Sequence, residues 1–220
     1  MSTPVLNLTF HGIGEPPAAV GVAERDVWLS EPDFAASLDA IRTLPEATVS
    51  FDDGNASDLQ IALPALRERG ISATFFVVAG RLGEPHYLSA EDLRTLRDEG
   101  MTIGLHGMHH QRWRGLSDED LDEEVSVARQ RLEEAAGGPL DAAACPFGAY
   151  DRRVLSRLRR AGFTTVFTSD GGWASRGAWL QARNTLRAGD GAAAVGAIAA
   201  DDGTAARSKH KLKTLAKRWR

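Results

Sequence analysis

Apolar and polar residues recur along this chain in two periods, and the period switches many times. Val5-Leu-Asn-Leu-Thr-Phe10 alternates loosely and predicts a first strand. His11-Gly-Ile-Gly-Glu-Pro-Pro17 follows, full of loop formers, and residues 18–30 read as loop. Ser30 reads as the N-cap of a helix in which Phe34, Leu38 and Ile41 share one face. Ala47–Phe51 predicts a second strand. Ser57 is a candidate cap for a helix with Leu59, Ala62, Leu63 and Leu66 on one side, and Pro64 should kink that helix or delay its start. The unbroken apolar run Ile71–Val78 fits a strand buried on both faces. Ser89 with Asp92 predicts a capping box, and Met101–Leu105 a fourth strand. Ser117–Ala136 reads as the longest helix, striped by Leu121, Val125, Ala128 and Leu132 and stopped by Gly137-Gly-Pro139. A short strand near Ala142–Cys145, a helix over Asp151–Ala161 and a strand over Phe163–Thr168 follow. Trp179–Gln181 is a candidate strand, and Gly191–Ala200 a small last helix.

Strands and helices thus alternate at least six times. The pattern predicts a parallel sheet wrapped by helices, either a barrel or an open doubly wound sheet. No G-x-G-x-x-G follows a strand and no P-loop pattern occurs, so neither a dinucleotide site nor a P-loop is expected.

Composition narrows the class. With 220 residues, 43% of them hydrophobic and 25% charged, the chain is long enough for one domain with a sizeable core and falls among soluble globular proteins. No apolar run approaches the ~20 residues that span a bilayer. Met1-Ser-Thr-Pro-Val5 lacks a secretory pattern and the single cysteine, Cys145, fits a reducing compartment, so a cytoplasmic location is expected. The net charge of −4 hides a split. Residues 203–220 carry seven Lys or Arg and no acid, leaving 19 basic against 30 acidic groups in residues 1–202. This predicts an acidic domain over residues 1–202 and a basic tail over 203–220. Leu212, Leu215 and Trp219 would share one face of a tail helix. Such a helix suits peripheral contact with an anionic membrane, for example at the inner membrane surface; a solvated tail is the other reading. No nucleic-acid partner is expected, and oligomeric state is not legible.

The candidate chemistry lies where strands end. Asp52-Asp53-Gly54 follows the second strand, although Asp-Gly alone is also a common turn. His106-Gly-Met-His-His110 follows the fourth. His106 pairs with His110 at a spacing of four, or with His109 at three. Two histidines and one carboxylate form a usual catalytic zinc set with an open position. In an α/β protein, strand ends on one rim would bring these motifs together. His11, also just past a strand, reads at this level as a loop histidine.

Taken together, Ser50-Phe-Asp-Asp-Gly54, His106-Gly-Met-His-His110 and Ala144-Cys-Pro-Phe-Gly148 resemble the first three motifs of the polysaccharide deacetylase family (the NodB homology domain, carbohydrate esterase family 4). Ala73-Thr-Phe-Phe-Val77 matches as well, and the resemblance runs over roughly residues 5–185. It implies a distorted (β/α) barrel of about seven parallel strands wrapped by helices. It also implies metal-dependent removal of N-acetyl groups from a carbohydrate. The implied metal ligands are Asp53, His106 and His110, holding a divalent ion, Zn2+ first, with Co2+, Ni2+ or Mn2+ as alternatives. Asp52 matches the general base and the Phe147 backbone N–H the oxyanion donor. Asp170 and Trp173 resemble a fourth motif, whose aspartate orients a histidine and whose tryptophan lines the acetyl pocket. Pro146 and Trp113 are further substrate-lining candidates.

Three departures from the family pattern stand out. Gly107 replaces the usual Ser or Thr, Ala144 replaces an arginine that tethers the base, and the Leu-x-His of the fifth motif is missing near Trp179-Leu-Gln-Ala-Arg183. Family members with an N-terminus like Leu8-Thr-Phe-His11 place that histidine at the barrel mouth. His11 therefore becomes the candidate general acid, and Arg183 the candidate partner of Asp52. Two other readings stay open: a hydrolase of a non-sugar amide or imide on the same fold, and a carbohydrate-binding pseudoenzyme.

Overall fold

The computed structural model describes residues 3–18 and 20–201. Strands β1 (Pro4–Phe10), β2 (Ala47–Asp53), β3 (Ala73–Val77), β4 (Thr102–Leu105), β5 (Ala142–Ala144) and β6 (Thr165–Thr168) pair in chain order, each parallel to the next. β7 (Ala174–Ser175) lies antiparallel to the start of β1. β8 (Leu180–Ala182) pairs with β6, and β9 (Asn184–Thr185) pairs with β1, both parallel. The stretch 180–185 therefore brings the two edges of the sheet together and nearly closes the barrel. This is the expected distorted barrel, and Arg183 sits at the break between its closing strands.

The helices are α1 (Val22–Arg25), α2 (Glu31–Ile41), α3 (Leu63–Glu68), α4 (Ala90–Asp98), α5 (Asp118–Asp122), α6 (Ala128–Ala136), α7 (Arg152–Arg160) and α8 (Ala192–Ala200). Ser30 caps α2, and Ser89 with Asp92 forms the expected capping box on α4. Three details differ from expectation. The loop 18–30 contains the single turn α1, tied back by Arg25 to the carbonyls of Val20 and Pro17. Ser57 caps no helix, because its hydroxyl accepts the Ile13 N–H and pins the loop after β1. A π-helical turn, Asp58–Ala62, then precedes α3 and puts Pro64 in the first turn, where its missing N–H is not needed. The long helix is α5 and α6 joined by a π-helical stretch, Glu123–Val127.

The loose alternation of β1 and β2 has a physical meaning. Leu8, Phe10 and Phe51 are fully buried, and the rings of Phe10, Phe34, Phe51 and Phe75 pack in series between sheet and helices, from 4.7 to 6.0 Å apart. Burying each such ring stabilises the fold by ~1.5–3 kcal/mol. The intervening residues form a polar interior. Thr48 donates to the Asn7 side-chain carbonyl, Asn7 donates to Gln181, and the Thr9 and Ser50 hydroxyls share a hydrogen bond of 2.9 Å. Asn7, Thr48, Ser50, Thr74 and Gln181 line a cavity of about 320 Å3 near the N-terminal ends of the strands. Among the described residues no helix is long and apolar enough to cross a membrane. The basic tail, 203–220, lies outside the described residues.

Candidate active site

Parallel strands share one C-terminal rim, and the motif residues follow β1, β2, β4, β5, β6 and β8 onto it. Successive residues of a strand normally face opposite ways. Asp52 and Asp53 escape that rule because Asp53 adopts a left-handed backbone, φ 80°. Both carboxylates therefore reach His106: its Nε2 is 3.7 Å from Asp52 Oδ2 and 3.7 Å from Asp53 Oδ1. His110, at φ 52°, curls back to place Nε2 3.1 Å from the same Asp53 oxygen. One ligand atom from each of Asp53, His106 and His110 fits within 4.8 Å of the other two.

The donor set fits a divalent metal. Ligands about 2.0–2.2 Å from a tetrahedral ion stand roughly 3.4 Å apart, close to the separations found here. Asp53 Oδ1 is buried, lacks a hydrogen-bond partner, and has two imidazole nitrogens facing it. The other ring nitrogens are engaged elsewhere. His106 Nδ1 lies 2.9 Å from the Ala144 carbonyl, which fixes Nδ1–H and leaves Nε2 free to ligate. His110 Nδ1 faces Glu24 Oε1 at 3.6 Å. His109 instead points outward and pairs with Glu123 at 3.1 Å, so the spacing of four is the one that converges.

Electrostatics separate the two aspartates. Burial alone would raise the Asp52 carboxyl. The Arg183 guanidinium, through its charge and its hydrogen bonds, outweighs it and holds Asp52 well below the usual carboxylate range. The Arg183 guanidinium, 1% exposed, donates to Asp52 Oδ1 and Oδ2 at 2.7 Å each and to the Ser50 hydroxyl at 3.1 Å. His11 Nε2 lies 4.0 Å from Asp52 Oδ2, the oxygen that also faces His106. Burial lowers the His106 imidazole to about 4, so this ring is neutral at pH 7. Burial works the same way on His110, but Glu24 and Asp53 more than offset it and raise that ring above its ordinary value. Asp58, fully buried, is pushed well up by burial and by the neighbouring Asp53 and Asp52 carboxylates.

Phe147 follows β5 with a left-handed φ of 55°. Its ring is half exposed, packs on His110 at 4.6 Å and carries the Arg112 guanidinium at 4.7 Å. Pro146 is buried. Trp173 is partly buried, and its indole N–H lacks a hydrogen-bond partner. Asp170 Oδ2 accepts the hydroxyls of Tyr150 and Thr168, at 2.7 and 2.9 Å.

Trp113 corrects an expectation. It is fully buried, and its indole N–H donates to Glu124, so it cannot stack on a sugar. The sequence reading also missed residues. Glu24, on α1, and Arg81, 3.4 Å from His110 Nδ1, stand in no motif. Glu124 left one signal: it falls three residues after Leu121 and one before Val125, within the apolar stripe, where a carboxylate does not belong without partners. Its place in an acidic run concealed that.

The polysaccharide deacetylase family model matches residues 42–166. The Bacillus subtilis protein YxkH, a polysaccharide deacetylase by its name, is 26% identical over 143 residues, 65% of this chain and 51% of the relative. Chitin deacetylase 1 of Cryptococcus neoformans is 28% identical over 119 residues, 54% of this chain and 24% of that protein. The chain therefore spans about half, or less, of these curated relatives. Among solved structures, the Streptococcus pyogenes deacetylase PplD in complex with acetate superposes with a TM-score of 0.79 at 18% identity, covering 90% of this chain and 99% of the other. IcaB from Ammonifex degensii gives 0.75 at 24% identity, over 89% and 96%. At these identities the structural likeness speaks for the fold.

Proposed function

The chain belongs to the polysaccharide deacetylase family, and from that premise we propose that it is a metal-dependent hydrolase that removes N-acetyl groups from a carbohydrate. One observation carries the reading: Asp53, His106 and His110 converge while Asp52, beside them, is held apart by Arg183. A divalent ion, Zn2+ in first place, would be held by those three residues and would supply Lewis acidity toward a carbonyl oxygen and a water.

The remaining work falls to the chain's own groups. Asp52 stays ionised and accepts the attacking water's proton at Oδ2, since that oxygen faces the histidines. The bidentate Arg183 contact fixes the carboxylate plane in the role left vacant by Ala144. It also weakens Asp52 as a base, so proton transfer depends on placement more than on basicity. The Phe147 N–H hydrogen-bonds to the developing oxyanion. His11, as imidazolium beside Asp52, gives its Nε2 proton to the departing nitrogen. Trp173 and Pro146 border the acetyl group, and Asp170 braces the rim through Tyr150 and Thr168. The single cysteine supports a cytoplasmic setting, and the basic composition of residues 203–220 suits either contact with an anionic membrane or a solvated tail. Flotation of the protein with and without 205–220 tests the membrane contact, and equal partitioning dismisses it.

The test of the activity is acetate release from N-acetylglucosamine oligomers by Zn2+-loaded protein, alongside Asp53→Asn and His110→Ala. Turnover that survives loss of either ligand, or a loaded protein that releases no acetate from any N-acetylated glycan, sinks the reading.

A further inference from the structure

The most demanding group outside the catalytic set is Glu124. It is fully buried, yet no cation faces it within ion-pair distance among the described residues. It accepts four hydrogen bonds from a single loop. Oε2 takes the Met108 N–H at 3.1 Å and the Trp113 indole N–H at 2.9 Å. Oε1 takes the His109 N–H at 2.9 Å and the Gln111 side-chain amide at 3.0 Å. A buried carboxylate survives when such donors replace its water shell. Every one of these donors lies in residues 108–113, the loop that carries His110.

Two further observations point the same way. Glu124 lies in the π-helical stretch Glu123–Val127, and wide turns of this kind aim a side chain off the regular helical face. Gly107 has φ 89°, and a Cβ there would meet Glu124 Oε2 at 2.3 Å. The glycine that departs from the family's Ser or Thr is thus the residue that lets this carboxylate approach. Carboxylate and glycine form one device.

We propose that Glu124 is a positioning residue that sets the backbone of the His106–His110 loop and so the geometry with which His110 offers Nε2 to the metal. This rests on the metal reading above. Glu124 touches neither ligand imidazole; it acts through the peptide N–H groups of the two residues before His110. An amide in its place would keep one pair of donors satisfied and turn the other pair into donor-against-donor contacts.

The test is metal binding. Zn2+ affinity is measured by chelator competition, and the visible spectrum of the Co2+ form is recorded, for the parent, Glu124→Gln, Trp113→Phe and Gln111→Ala. Apoprotein melting is followed in parallel. For Glu124→Gln the expected result is ~10–100-fold weaker Zn2+ binding, as for other groups that orient metal ligands, with a changed Co2+ spectrum. The two single-donor variants should show smaller losses in the same direction. A folded Glu124→Gln protein that binds Zn2+ within about twofold of the parent, with an unchanged Co2+ spectrum, overturns the role even if its melting point drops. Should Glu124→Gln fail to fold, Trp113→Phe and Gln111→Ala decide, and parent-like affinity in both overturns it. A parent protein that binds no divalent ion sinks the metal reading and this inference together.

Discussion

The two sides of the site are anchored in opposite ways. On the side of the proposed base, a carboxylate is held by a cation: Asp52 by Arg183, reached across the barrel from its closing strands. On the side of the proposed metal ligands, a buried carboxylate, Glu124, gathers neutral N–H donors from one loop. The first anchor fixes one side chain and is sensitive to charge and fork geometry. The second fixes a stretch of backbone and depends on acceptor count. The proposed reaction calls for a mobile proton beside a fixed ion, and the two anchors would let these properties be governed separately.

The strongest way to break that separation is at the proton side alone. His11→Ala should lower turnover ~10²–10⁴-fold while Zn2+ affinity stays at the parent value. Stopped acetate release with unchanged chelator competition is the expected pair of results. A joint loss of metal would show that the two sides are not independent.

Arg183→Ala should cost about 3–5 kcal/mol of stability in urea unfolding, because it strands the buried Asp52 charge. Arg183→Lys should recover little, since an ammonium cannot make the two-pronged contact. Full recovery by lysine would mean that charge alone, not the fork, holds Asp52.

Acid titration sharpens the contrast further. The folded pKa of Asp52 is depressed, so its stabilising contribution is complete above the ordinary carboxylate value of about 3.9 and is lost as pH falls toward the folded value. The stability gap between the parent and Asp52→Asn should therefore narrow as pH falls below about 4. A gap that is constant from pH 7 to pH 3 would contradict the ion pair as the source.

The smallest expected effect is on the metal side. Trp113→Phe removes one of the donors to Glu124 and should cost about 1–3 kcal/mol at most, the range for altering one hydrogen bond to a charged group. It should leave the pH dependence of stability near Asp52 unaltered. A shifted acid transition in this variant would link the two anchors.

Much of this was legible in the residues. The alternating elements, the capping box of Ser89 and Asp92, and the strand-end positions of Asp52, Asp53, His106 and His110 all follow from local patterns. Glu124 and Glu24 were not legible. A carboxylate in an acidic run, or on a loop turn, looks solvated until its neighbours are known. Trp113 erred in the other direction: proximity to the histidines in sequence suggested the mouth, but the chain turns it inward to Glu124.

By itself, then, the sequence determined the element order, the parallel sheet and the types of group at the rim, because hydrophobic period, caps and strand ends are local properties of the chain. Only the tertiary structure decided which groups meet. Arg183 reaches Asp52 from 131 residues away, and the left-handed turn at Asp53 swings a second carboxylate to the same side. His11, beside Asp52, and Glu124, beneath the histidine loop, are likewise brought in by barrel closure and helix packing. Those contacts depend on distances through space that the order of residues along the chain does not encode locally.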